Sequence, residues 1–296
     1  MLATELARSG KRVLLVDLDL ESPGLSALLL PAVNLPEAGI VDWFIASALG
    51  AEDQILDKLL ALSPVSEALD GEIRVASAKG SNDRDYLAKL VRIYSEVPTK
   101  GGTGRLSDKI VKLIESLEAK EKPDFVLIDS RGGLHELAAV ALGRLADIGL
   151  LFCQNSQQSW DGYKTLFDHW SSRPQVSRVI RERLKMVYAL FPESRQADEL
   201  SAFRERSWDL FRERLYDEVS PEDSSGGLDL FSFDESDTDA PHTPLVVRWN
   251  PRLVEYDPRV REDEGGLSSL DIDLTFGPFI KGVLVLAESQ GSDDGT

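Results

Sequence analysis

Apolar positions change period repeatedly along this chain. Residues 1–9 carry Leu2, Ala3, Leu6 and Ala7 at three- and four-residue spacing, which predicts a helix, and Gly10 suits the position just past its end. Val13 to Val16 then form a continuous apolar run that stops at Asp17 and Asp19. Such runs suit a parallel strand buried on both faces. Ser22-Pro23-Gly24 reads as a loop. Residues 41–49 and 51–62 predict helices, 72–76 (EIRVA) a short strand, and 83–94 a helix followed by Pro98. Residues 108–120 predict a helix capped by Ser107. Residues 125–129 (FVLID) form a second apolar strand ending in a carboxylate; Gly132-Gly133 and a helix over 134–145 follow.

The second half keeps the alternation. Residues 148–153 (IGLLFC) and 184–191 (LKMVYALF) read as strands, with a helix over 161–169 between them. Residues 196–216 predict a long charged helix with Leu200, Phe203, Trp208, Phe211 and Leu215 on one side. Residues 245–249 (LVVRW) predict a strand, 277–288 a last helix and 291–296 a disordered tail. Strands alternating with helices, each strand apolar throughout, predict an α/β fold with a mainly parallel sheet. Ligands of such sheets bind at the carboxyl ends of the strands, where Asp17, Asp19 and Asp129 fall. A helix, a glycine and a buried strand are the latter part of a βαβ unit, so a further strand is expected before Met1.

Composition narrows the function classes. The chain has 296 residues, 42% of them hydrophobic, enough for one large domain or two small ones. The net charge of −18 repels a phosphate backbone and argues against direct DNA binding, unless the five basic residues Arg173, Arg178, Arg181, Arg183 and Lys185 form a local patch. A solvated helix face is the plainer reading of that string. The one cysteine, Cys153, excludes an intrachain disulfide and suits a cytoplasmic location. No apolar run is long enough to span a membrane. Residues 217–240 hold nine acidic side chains and no Lys or Arg around Ser-Ser-Gly-Gly, and read as a flexible acidic loop or linker.

Two segments carry candidate chemistry. In VLLVDLDLESPG, carboxylates at i and i+2 leave a strand end on the same side. Burying them is costly unless they are solvated, hydrogen-bonded or near a cation. The pair suits a Mg²⁺ water shell or the placing of an attacking water; solvated loop residues or helix caps are the plain alternative. In FVLIDSRGGL, the strand ending in Asp129 with Gly132-Gly133 behind it is similar to a Walker B aspartate with a glycine switch. A strand-to-helix turn with Asp129 as its cap reads equally simply.

Together, RVLLVDLDLESPGL and PDFVLIDSRGGL resemble the ParA/MinD group of deviant Walker A ATPases, most closely the bacterial branch reading Leu-Ile-Asp-Ser-Arg. LLFCQNSQQSWDGYKTL resembles that family's next strand and helix. The resemblance covers residues 1–191 and, more loosely, 245–249. It implies a three-layer P-loop NTPase-type α/β fold, with a nucleotide-binding core over 1–216 and a C-terminal strand and helix over 241–290 completing it. It implies ATP and Mg²⁺ as cofactors and a nucleotide-dependent switch acting on a protein partner, often as a nucleotide-sandwich homodimer. Asp19 would orient the attacking water, Asp17 would lie beside it at the metal, Asp129 would hold Mg²⁺ through water, and Gly133 would approach the γ-phosphate.

Two features depart from the family. Its phosphate loop, Lys-Gly-Gly-x-Gly-Lys/Arg-Ser/Thr, belongs just before the opening helix, and the strand before that loop is central to its sheet. The chain is therefore expected to be truncated at its N-terminus. The family's Asn-Arg adenine contact after the fourth strand is replaced by Phe191-Pro192. Both departures favour the alternative of a degenerate, non-catalytic regulatory or scaffolding module. Lys100-Gly101-Gly102-Thr103-Gly104-Arg105 mimics the loop in letters only. It follows a proline rather than an apolar strand, ends in Leu106 where a Mg²⁺ hydroxyl belongs, and lies after the aspartates. The tryptophans 160, 170, 208 and 249 read as packing anchors, and His135, His169 and His242 show no metal spacing.

Overall fold

Residues 1–81, 83–95, 105–131, 140–192, 196–218, 230–260 and 262–293 are described by a computed structural model of the chain. The chain divides into two compact units, Met1–Arg144 with Glu255–Gly266, and Leu145–Val254 with Leu267–Thr296.

The first unit is built on strands β1 (Arg12–Asp17), β2 (Leu60–Leu62), β3 (Glu72–Ala76) and β4 (Phe125–Asp129), in the order β2-β3-β1-β4. β1 runs parallel to both β3 and β4, whereas β2 lies antiparallel at the edge. Every residue of β1 after Arg12 is buried, which is what a continuous apolar run predicts for a central strand. Helix α1 (Leu2–Arg8) buries Ala3, Leu6 and Ala7, and Gly10 leaves it at φ 81°. Gly71 enters β3 so close to this corner that a Cβ there would lie 2.2 Å from the Lys11 carbonyl oxygen. Helices α2 (Leu25–Leu29) and α3 (Ile40–Ser47) follow β1, and α3 buries Ile40, Val41, Trp43 and Phe44.

The expected helix over 51–62 is instead a four-residue helix, α4 (Asp53–Leu56), followed by β2. The apolar positions there fit either period over so short a run. The free edge of β3 decides the outcome by offering ladder hydrogen bonds to residues 60–62. Helix α5 (Tyr86–Tyr94) buries Leu90. Helix α6 (Leu106–Glu121) buries Ile110, Leu113, Ile114 and Leu117, the stripe expected of a helix lying on a core. Ser107 does not cap α6: the cap position belongs to Arg105, and Ser107 lies inside the first turn. Of the helix expected over 134–145, the described part ends in a π-type turn over Ala141–Leu145, and 132–139 lie outside the described residues.

In the second unit β5 (Gly149–Cys153), β6 (Leu184–Phe191) and β7 (Leu245–Arg248) form a wholly parallel sheet with β6 in the centre. Helix α7 (Gln157–Ser171) starts before the expected 161, because the Ser156 hydroxyl accepts the Ser159 N–H and caps it. It is followed by α8 (Pro174–Arg181), α9 (Gln196–Arg214) and α10 (Ser269–Asp293). Phe203 of α9 stacks on Tyr188 of β6 at 4.3 Å, and Phe211 meets Phe167 edge-on at 5.0 Å. Trp160 and Trp170 are core anchors as expected, whereas Trp249 is 42% exposed. Ser268 and Asp271 exchange hydrogen bonds in a capping box that starts α10 well ahead of 277. The helix passes through Pro278 to Asp293, so 291–293 are helical rather than a loose tail, and 294–296 lie outside the described residues.

The acidic stretch is anchored at both described ends. Asp217 takes a two-pronged ion pair from Arg181 at 2.7 and 2.9 Å and accepts the Phe231 N–H. Trp208 donates to the Phe233 carbonyl, and buried His242 meets the Tyr216 hydroxyl at 2.6 Å. Lys185, buried in β6, donates to the carbonyls of Asp239 and Ala240; burial pushes its ammonium down to about 8. Residues 219–229 lie outside the described residues.

Candidate functional site

The carboxyl ends of β1 and β4 lie side by side, and the register pairs Asp17 with Asp129. Asp17 is fully buried. Its Oδ2 accepts the Leu25 N–H at 3.2 Å, at the start of α2, while its Oδ1 is buried without a hydrogen-bond partner. The next carboxylate, Asp19, accepts the Ser22 N–H at 3.1 Å and so closes a tight turn. The Leu18 N–H reaches across to the Asp129 carbonyl at 2.7 Å, extending the β1–β4 pairing past the last paired aspartates. All three aspartates singled out in the sequence therefore meet at one place.

Two tyrosines of α5 complete the surroundings. The Tyr86 hydroxyl donates to the Leu20 carbonyl at 2.7 Å, and the Tyr94 hydroxyl donates to Glu21 at 2.7 Å. Arg131, just beyond Asp129, reaches Glu21 at 3.9 Å. The sequence reading missed Tyr86, Tyr94 and the Arg131–Glu21 pair. The available signal was an aromatic at each end of the predicted 83–94 helix, but nothing in the letters says which face of that helix meets residues 20–21.

Electrostatics mark the same spot. Burial first, and the charge of Asp129 second, push the Asp17 carboxyl up to about 7; the N–H groups of Leu25 and Asp19 pull the other way. The Asp19 N–H therefore favours the charged form without closing a hydrogen bond to Oδ1. Asp129 is pushed upward too, by desolvation and then by Asp19, although its side chain keeps contact with solvent. Burial raises the Tyr86 phenol, with Asp17, Asp83, Glu21 and Asp19 adding to it, so it stays a protonated donor. A buried carboxylate oxygen without a partner, facing a second carboxylate, is a donor set that a divalent cation satisfies. No group of three His, Cys, Asp or Glu side chains forms a metal cage among the described residues, so a cation here would keep much of its water shell.

No family model matches the sequence, and no curated protein matches it. Solved structures do. The chain aligns over 97% of its length with 92% of pNOB8 ParA, at a TM-score of 0.52 and 13% identity. Against pNOB8 ParA bound to nonspecific DNA it aligns over 99% with 92% of that chain, at 0.52 and 14%. This chain has the ParA fold. It is a mixed α/β, P-loop NTPase-type architecture with parallel sheets and helices on both sides, as the motifs imply. The ATP complex of McdA from Cyanothece is also similar, at a TM-score of 0.49 and 12% identity over 98% of this chain and 89% of that one.

Other expected parts of a ParA-like site fall unevenly. Gly133 and residues 100–104 lie outside the described residues. Phe191 is buried against Tyr188, and Leu190 before it takes a left-handed φ of 57°. The basic string 173–185 is no continuous patch: Arg181 is tied to Asp217, Arg183 donates to the Ala146 carbonyl, and Lys185 is buried. Arg173 and Arg178 stay on the outer face of the second unit. No helix among the described residues is long and apolar enough to cross a membrane.

Proposed function

We propose that this chain is a ParA/MinD-like, Mg²⁺-dependent ATPase acting as a nucleotide-dependent switch on a protein partner. The observation that carries the reading is the unpartnered, buried Oδ1 of Asp17 beside Asp129, at the carboxyl ends of two parallel strands of a ParA fold. Asp17 and Asp129 would hold Mg²⁺ through water, Asp19 would position the attacking water, and Gly133 would approach the γ-phosphate. When bound, the metal neutralises charge on the phosphate oxygens. Asp19 is suited to its task because its Oδ1 is fixed by the Ser22 N–H, which leaves the other oxygen to accept from a water. A nucleotide-sandwich homodimer would be the state that engages the partner.

ATP turnover with Mg²⁺ tests this, on the 296-residue chain and on one that includes any in-frame residues upstream in the gene. Asp19→Ala is expected to cut turnover by about 100-fold or more while Mg²⁺–ATP affinity stays within a few-fold. Unchanged turnover in that variant would sink the assignment.

A second reading, a non-catalytic regulatory or scaffolding module, is favoured by Phe191. Its ring is turned into the core, so the usual place for adenine contacts offers no side chain at that position. Nucleotide binding without turnover would select it. DNA is not set aside as a partner: pNOB8 ParA, of the same fold, is solved on nonspecific DNA. The net charge of −18 is the opposing argument, and a salt-dependent mobility shift decides between them.

A further inference from the structure

Arg131 stands two residues beyond Asp129, as Glu21 stands two residues beyond Asp19. Their side chains meet at 3.9 Å, the loose end of ion-pair range, and that of Arg131 is 52% exposed. The Glu21 Oε2 that faces it is buried, and a pair this long with one partner half in solvent is worth little. Lys89 of α5, in contrast, is committed to Asp42 at 2.7 Å and Asp83 at 3.5 Å. Glu21 is also held by the Tyr94 hydroxyl at 2.7 Å. Arg131 is thus kept beside the aspartates by a tethered carboxylate without being bound tightly to it.

We propose that Arg131 is an anion-contacting side chain of the carboxylate site, exchanging Glu21 for the terminal phosphate of a metal-bound polyphosphate. The proposal rests on the nucleotide reading above. Asp17, Asp19, Glu21 and Asp129 gather negative charge that repels a polyphosphate, and one divalent cation offsets only part of it. A guanidinium at the rim supplies further positive charge. Its planar fork matches two phosphate oxygens, and charge-assisted bonds to phosphate are stronger than a 3.9 Å pair with a single carboxylate oxygen. Glu21 and Tyr94 are then positioning residues: they park the guanidinium near the metal ligands when no anion is present and compete with the anion when it arrives.

The test is calorimetric affinity for Mg²⁺–ATP and for Mg²⁺–tripolyphosphate, which lacks a base, with circular dichroism and melting as checks on folding. Arg131→Gln is expected to weaken both ligands by about 10-fold or more, and Arg131→Lys to recover part of the loss. Glu21→Gln is expected to tighten both, because it removes the competitor. A merely structural ion pair would give losses of the same sign in Arg131→Gln and Glu21→Gln, and that result overturns the proposal. So does an Arg131→Gln affinity within about two-fold of a wild type that binds. Wild-type protein that binds neither ligand would instead refute the nucleotide reading itself, and this inference with it.

Discussion

Asp17 works against the fold that holds it. A carboxyl raised from 3.8 to about 7 has lost roughly 4 kcal/mol of preference for its charged form. Below pH 3.8 the group is protonated whether the chain is folded or not, and contributes no pH dependence. Between 3.8 and about 7 the folded chain keeps a proton that the unfolded chain has released, so stability falls as pH rises. Above about 7 the full penalty is present. Asp17→Asn should therefore stabilise the metal-free protein by up to about 4 kcal/mol at pH 8 and by far less near pH 4.5. Denaturant titrations at the two values check this; an equal gain at both would refute it. The sequence shows such a residue because a charged side chain directly after a buried apolar run is conspicuous. It does not show Tyr86 or Arg131, whose importance depends on which residues 66 and 110 positions away they touch.

At the scale of elements, what was legible followed from length and surroundings. β1, β4, β5 and β6 each announced themselves as apolar runs, β3 as a short strand, and α6 and α9 as long periodic segments. Residues 51–62 were not legible, because the edge of β3 claims the last three. The start of α10 was missed because its capping box, Ser268 with Asp271, lies outside the apolar window that signalled the helix. The topology also ranks the strands. β1, β3 and β6 have partners on both sides, whereas among the described residues β4 and β5 have one each. Amide exchange should accordingly be slower across residues 12–17 than across 125–129, although both are apolar runs of similar length. Peptide-resolved exchange mass spectrometry checks the ranking, and equal protection would contradict it.

For the whole molecule, charge and strand pairing act in opposite directions. A chain carrying −18 repels its copies, and at low salt that repulsion reaches well beyond the surface. Among the described residues, β4 has no strand paired along one of its sides, and FVLID holds neither proline nor lysine to discourage a visiting strand. The two effects predict that light scattering by the purified protein is low at about 50 mM NaCl and climbs at about 500 mM, where the Debye length falls to a few ångströms. A basic protein of similar fold would lose solubility by meeting nucleic acid. This one should lose it by meeting itself, and the remedy in the tube is less salt rather than more.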